Sequence, residues 1–139
     1  MEDNVAISCD KSKLDLDMIY RFLVNDSYWA RGRTWETFKK SVDNSLCFGV
    51  FEGSKQIGFA RVVTDYAVFA WIMDVFILKE YRHRGFGKIL VKAIVDHPDL
   101  KNLKRWGLST NDAHGLYKKF DFRVIREPDM FMERLSHPS

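Results

Sequence analysis

Cysteine is nearly absent from this chain of 139 residues: Cys9 and Cys47 are the two. Two thiols cannot build a disulfide scaffold, and neither belongs to a CxxC pair. Cys47 lies in the apolar run "SLCFGVF" and reads as a buried free thiol. Proline is scarce as well, with three residues. There is no Pro/Gly/Ser-rich linker, no internal repeat and no low-complexity stretch, so one domain spanning 1–139 is the simplest organisation. No apolar run approaches the roughly 18 residues that cross a bilayer. The start, "MEDNVAISCD", is acidic and lacks the apolar centre of a secretory leader. A soluble cytoplasmic protein with no membrane partner is therefore expected. His, Cys, Asp and Glu do not cluster at metal-ligand spacing, so no metal is expected. Charge of one sign is also lacking: 22 Lys and Arg against 19 Asp and Glu leave +3. That excess permits an anionic ligand. The basic residues form no extended face and the aromatics do not interleave with them, so no nucleic-acid partner is expected.

What is present is a substantial apolar fraction, 46% hydrophobic and 14% aromatic, enough for a real core. Leu16, Ile19, Tyr20 and Leu23 recur at helical spacing in "LDLDMIYRFL". "NDSYWARGR" reads as a loop. Thr34 is placed to cap a second helix with Trp35, Phe38 and Val42 on one face. "SLCFGVFE" and "QIGFARVVT" read as strands joined by the turn "EGSK", where Gly53 can take a positive φ. "AVFAWIMDVFIL" is a third strand. "GFGKILVKAIVDH" is a helix ended before Pro98. "RWGLST" is a strand, "DAHGLYKKF" a short helix, and "DFRVI" and "MFMERL" a closing hairpin. The first few residues and the last four, "SHPS", are expected to be loose. Two helices, three antiparallel strands, a helix, a strand, a helix and a hairpin make an α+β fold, with helices packed on a mixed, mostly antiparallel sheet.

The informative stretch is "YRHRGFGKIL", residues 81–90. Arg82, His83 and Arg84 crowd the start of a helix, where the dipole already presents positive charge. Gly85 and Gly87 remove the Cβ atoms that would keep a ligand off the backbone. Amides at a helix start have no intrahelical acceptor, so the junction is suited to an anion, phosphate above all. Arg82, Arg84 and Lys88 would add charge to it. The spacing is neither a Walker loop nor a dinucleotide fingerprint.

The pattern Arg-x-x-Gly-x-Gly, between the strand "MDVFILKEY" and an amphipathic helix, resembles the acetyl-CoA-binding motif of the GNAT superfamily of N-acyltransferases. "DAHGLYKKFDF" resembles the same family's Ala-x-x-Leu-Tyr-x-x-x-Gly-Phe segment, and the element order is the order of that fold. The resemblance covers nearly the whole chain. It departs at Asp121, which stands where the family has Gly; Asp tolerates left-handed geometry better than most residues. It departs again at Thr110, where the family often has Asn, with Asn111 beside it.

The resemblance implies an N-acetyltransferase that uses acetyl-CoA as donor and an amine as acceptor, in a ternary complex without a cysteine nucleophile. A non-catalytic acyl-CoA-binding module is the alternative, and a homodimer is left open. It implies that His83, Arg84, Gly85, Phe86, Gly87 and Lys88 offer amides to the pyrophosphate, with Arg82 fixing the loop or touching phosphate. It implies that Val75, Phe76 and Ile77 run beside the pantetheine arm as a free strand edge, that Asn111 lies near that arm, and that Tyr117 protonates the leaving thiolate. Tyr117 also suits a packing role beside Ala113 and Phe120. Asp74 is a candidate base, equally readable as a structural carboxylate pairing with Arg61; Asp65, Glu80 and His114 are alternatives. Tyr28, Trp29, Tyr66 and Phe69 are candidates for an aromatic acceptor wall. Arg31 or Arg33 is a candidate for holding an acceptor carboxylate. Trp35 and Trp71 read as core aromatics.

Overall fold

The structure is a computed structural model and describes residues 4–136. The chain runs β1 (Val5–Ser8), α1 (Leu16–Asp26), α2 (Trp35–Asp43), β2 (Leu46–Glu52), β3 (Lys55–Thr64), β4 (Phe69–Ile77), α3 (Phe86–Val95), β5 (Arg105–Leu108) and α4 (His114–Lys118). The five strands lie in sequence order in one sheet. All neighbours are antiparallel except β4 and β5, which run parallel. The α+β fold expected from the sequence is present.

Local chemistry explains several boundaries. Asp15 caps α1 by accepting from the Met18 amide, and Thr34 caps α2 by accepting from Thr37. Each cap satisfies one amide that the helix start would otherwise leave unpaired, typically about 1 kcal/mol. Gly53 turns the β2–β3 hairpin at φ 60°. α4 closes on a Schellman motif. The Phe122 amide donates to the Tyr117 carbonyl and the Asp121 amide to Lys118, with Asp121 left-handed at φ 70°. The side chain at 121 is thus tolerated where glycine is usual.

Two apolar clusters sandwich the sheet. α3 buries Phe86, Leu90 and Ile94 against Phe48, Val50, Val62 and Ile72 on one face. α1 and α2 bury Ile19, Leu23, Phe38 and Val42 against Cys47, Phe59 and Phe76 on the other. Cys47 sits in the second cluster, where burial pushes its thiol up to about 11. Phe22 stacks on Phe76 with ring centroids 3.9 Å apart.

Three features depart from the sequence reading. An edge strand it did not include forms near the start, where Val5–Ser8 pairs with Glu52–Gly49. Four residues, three half-buried and Ala6 exposed, carry too short a pattern to announce a strand; pairing with distant β2 supplies the hydrogen bonds. The closing hairpin does not form. Residues 121–136 contain one short 3-10 turn and no strand. Val124, Met130, Met132 and Leu135 stay largely exposed, and "REPD" interrupts the apolar pattern with charge and a proline. Trp35 is not core but 40% exposed, packing edge-on against Tyr20 at the outer end of α2. Residues 1–3 of the start and 137–139 of "SHPS" lie outside the described residues. Among the described residues, no helix is long and apolar enough to cross a membrane.

Candidate active site

The site originates in a defect of the β3–β4 ladder. Arg61 pairs with Met73 and Phe59 with Phe76, so Ala60 alone faces both Asp74 and Val75. Asp74 takes φ 54° to accommodate the extra residue. A bulge bends its strand and re-aims side chains. β5 accompanies β4 only as far as Ile72↔Leu108. From Met73 to Ile77, β4 therefore presents an unpaired edge. The gap widens into a cleft of about 1080 Å³, lined by β4, the 81–88 loop, residues 108–113 and α4.

Val75, Phe76 and Ile77 all line this cleft, as expected, but not equivalently. The Leu78 amide donates to the Ile57 carbonyl of β3. Alternation along the strand then turns the backbone groups of Val75 and Ile77 toward the open edge and those of Phe76 toward β3. The Phe76 ring is buried against Phe22.

At one end of the cleft stands the start of α3. Gly85 caps the helix at φ 84° and no side chain caps it. Together with His83 at φ 66°, it brackets Arg84 between two left-handed residues. Among the described residues, no acceptor is found for the amides from His83 to Lys88. A Cβ on Gly85 would meet nothing within 4 Å, so open space lies over the cradle. These features fit an anion on the helix start. His83, Gly85, Phe86, Gly87 and Lys88 line the cleft. Arg82 lines it too, and its Nε donates to the Ile77 carbonyl at 2.9 Å, fastening the loop to the end of β4. Arg84 departs from expectation. Its guanidinium lies 3.7 Å from Glu52 and over the Tyr81 and Phe86 rings, so its charge turns away from the cleft.

Tyr117 stands on α4, facing the open edge of β4 across the cleft, and is buried. Burial, with the nearby Tyr28, pushes its phenol up to about 12, so it holds its proton at neutral pH. Asn111 lines the cleft and its amide donates to the Tyr28 hydroxyl at 3.1 Å. That bond ties the α1–α2 loop to the β5–α4 loop. Thr110 caps the latter by accepting from Ala113 at 3.0 Å.

Asp74 is fully engaged by neighbouring side chains. One carboxylate oxygen accepts from Arg33 at 2.8 Å and Arg61 at 2.9 Å, the other from the Trp29 indole at 2.8 Å. Its side chain is 1% exposed. Burial alone would raise its pKa, but the bonds and charges of Arg33 and Arg61 outweigh it and hold the carboxyl below its ordinary value. A carboxylate so engaged is a poor proton acceptor at neutral pH. Its effect is to pin the α1–α2 loop to β4, which presents Tyr28 and Trp29 to the cleft.

The acceptor-wall expectations divide. Tyr28 and Trp29 line the cleft. Arg31 and Tyr66 do not reach it. The Arg31 Nε is spent on the Ser27 carbonyl, and Tyr66 is 52% exposed at the tip of the β3–β4 turn. Arg33 is committed to Asp74. Asp65 caps the same β3–β4 turn, accepting from the Ala67, Val68 and Phe69 amides, which lower its pKa. Glu80 lies outside the cleft lining. Trp71 was read as core, yet its half-buried indole lines the cleft. Its ring occupies the space over Gly107, where a Cβ would overlap it. Met73, which the sequence reading did not single out, lines the cleft just beyond the last β4–β5 pair, whereas Trp71 is still paired with Gly107 and reaches the cleft because that glycine has no side chain in the way of its ring.

The sequence profile of the acetyltransferase (GNAT) family matches residues 15–122. A candidate GNAT-family acetyltransferase of Xanthomonas campestris pv. campestris, solved as a crystal structure, superposes with a TM-score of 0.91 at 45% identity, over 94% of this chain and 92% of that one. A candidate acetyltransferase of Gibberella zeae is 27% identical over 150 positions, spanning 88% of this chain and 81% of its own. A structure from meticillin-resistant Staphylococcus aureus, 23% identical with a TM-score of 0.75 over 96% of this chain and 99% of that one, shares the fold.

Proposed function

The chain belongs to the GNAT acetyltransferase family, and on that premise we propose that it transfers an acetyl group from acetyl-CoA to a primary amine by direct attack in a ternary complex. The observation that carries this reading is the convergence of three features on one cleft: the uncapped amides at the start of α3, the unpaired edge of β4, and the proton-bearing phenol of Tyr117. Their separate chemistries suit one elongated molecule with a polyphosphate at one end and a thioester at the other.

In this reading the amides of the 83–88 loop hold the pyrophosphate, with Lys88 adding charge. The outward backbone groups of Val75 and the Ile77 amide pair with the amide-bearing arm by strand addition, the Ile77 carbonyl being held by Arg82. The donor supplies an acetyl group activated as a thioester. The chain positions the acceptor nitrogen and excludes water from the reacting carbon. Tyr117 gives its phenolic proton to the departing thiolate. Arg33 and Arg61 neutralise Asp74, so the ammonium proton of the acceptor leaves to solvent through the open cleft rather than to that carboxylate. Neither Cys9 nor Cys47 lines the cleft, and burial pushes the Cys47 thiol up to about 11, so this reading uses no cysteine nucleophile.

The engagement of Asp74 favours one competing reading, a module that binds the donor without turnover. Thiol release separates the two. The protein is titrated with acetyl-CoA by calorimetry, then assayed for thiol release with a panel of primary amines. Saturable binding with amine-dependent release supports transfer. Binding with no release from any amine supports the module, and no binding removes the cleft assignment.

A further inference from the structure

A second cavity, of about 640 Å³, lies across β5 from the donor cleft, within the size range of small-molecule sites. It shares Trp71, Leu108, Ser109, Thr110 and Tyr117 with that cleft, so the two spaces meet at the proposed acid. One wall is the indole of Trp71, with the Phe69 ring near-parallel to it at 6.1 Å. Trp106 and Phe122, edge to face at 6.4 Å, form another. Flat apolar walls suit a flat apolar body. The polar lining is of one sign. Arg105, Lys118 and Arg123 contribute cationic side chains, and among the described residues no Asp or Glu lines the cavity. The Arg105 guanidinium lies 5.4 Å from the centre of the Phe131 ring, which holds it at the rim.

A cavity walled by rings and edged only by cations repels polyamines and rewards an anion on an aromatic or apolar frame. We propose that this cavity is the acceptor subsite and that the acceptor is a primary amine carrying a flat apolar body and a carboxylate or other anionic group. The anion sits toward Arg105 and Arg123, and the amine reaches Tyr117 where the two cavities join. The assignment rests on the acetyl-transfer reading, and it replaces Arg31 and Tyr66, which point elsewhere, as determinants of the acceptor.

The test uses matched amines: 4-(aminomethyl)benzoate, benzylamine and spermidine, each assayed for kcat/KM by thiol release from acetyl-CoA. The carboxylate-bearing amine is expected to exceed benzylamine by on the order of tenfold to a hundredfold, the range of a charge-assisted hydrogen bond. Spermidine is expected to be poorest. Arg123→Glu and Arg105→Glu, both at exposed positions, should each narrow the ratio of the first two amines by about tenfold. Benzylamine or spermidine equal to the acid, or a ratio unmoved in both variants, overturns the proposal. Calorimetry with 4-(aminomethyl)benzoate alone keeps the site testable if no amine turns over. Binding that weakens in Arg123→Glu upholds the subsite while the transfer reading fails; no binding at millimolar concentration removes the subsite. A dimer by sedimentation that Met132→Glu dissociates, with the amine ratio unchanged, would assign these walls to self-association and also overturn it.

Discussion

Replacing Asp74 with Asn keeps the shape of the side chain and removes its charge. Both arginines bond the same carboxylate oxygen, while Trp29 bonds the other. An Asn must turn its NH2 toward either the arginines or the indole, so one donor faces another in both orientations. The arginines also lose their counter-charge. The Arg61 side chain is 8% exposed and that of Arg33 16%, so water repairs little of the loss. Removing one member of a buried pair typically costs about 3–5 kcal/mol. With an unfolding entropy of about 2.1 cal/mol/K per residue, that cost lowers Tm by roughly 10–17 °C for a chain of this length; the partial exposure of Arg33 favours the lower end. The pH dependence follows from the depressed carboxyl of the folded state. Its stabilisation is fully present above the unfolded value of about 3.9 and is lost as pH falls through the lower folded value. The gap in Tm between wild type and variant should hold constant from about pH 5 to 8 and close only below about pH 4. Differential scanning calorimetry across pH reads this directly. The kcat/KM profile of the variant, measured below its Tm, should keep the acidic limb of the wild type. A variant that melts within about 2 °C of wild type (under about 1 kcal/mol) and loses that limb would refute the structural assignment and restore Asp74 as a base.

Tyr117→Phe should lower kcat by on the order of tenfold to a thousandfold while leaving acetyl-CoA affinity nearly intact, because the ring still packs against Phe122 and only the proton is lost. Since burial pushes this phenol up to about 12, its acid form persists well into the alkaline range, and any fall in kcat that reports it should come at high pH and be missing from Tyr117→Phe; an alkaline limb identical in both proteins would speak against the role. Gly87→Val should weaken acetyl-CoA binding at least about tenfold by calorimetry, because the added Cβ makes only an ordinary 3.6 Å contact with Leu116 yet stands in the cradle. Gly85→Val should lower Tm as well as affinity, since φ 84° strains any branched side chain. Gly107→Ala should destabilise by about 1–3 kcal/mol, because its Cβ overlaps the Trp71 ring and one of the two must shift; an unchanged Tm would show that the ring moves freely.

Local chemistry was sufficient for most of the fold and for one end of the site. Thr34, Gly53, Gly85 and the Leu-Tyr segment act through contacts within a few residues, so their caps and turns were readable in the sequence and are present in the structure. Asp121 belongs with them, because the left-handed C-cap it fills is closed by the amides of residues 121 and 122 alone. The motif at 82–88 announced an anion cradle for the same reason: glycine spacing and a helix start determine which amides are free. What needed the tertiary structure lies where one strand meets another. β1 is a strand only because β2 offers it an edge, and residues 121–136 are none although their apolar residues suggested two. The bulge at Asp74 and Val75 comes from a register difference between β3 and β4, and no pattern along β4 alone reveals it. It decides that Asp74 faces Arg33, Arg61 and Trp29, and the missing side chain of Gly107 on β5 leaves the room through which the Trp71 ring reaches the site. Arg84 carries the same formal charge as Arg82, yet Glu52, more than thirty positions away, draws it aside. Side-chain identity sets what a residue can do, but long-range pairing sets what it faces, and here it turns Asp74 onto Arg33, Arg61 and Trp29.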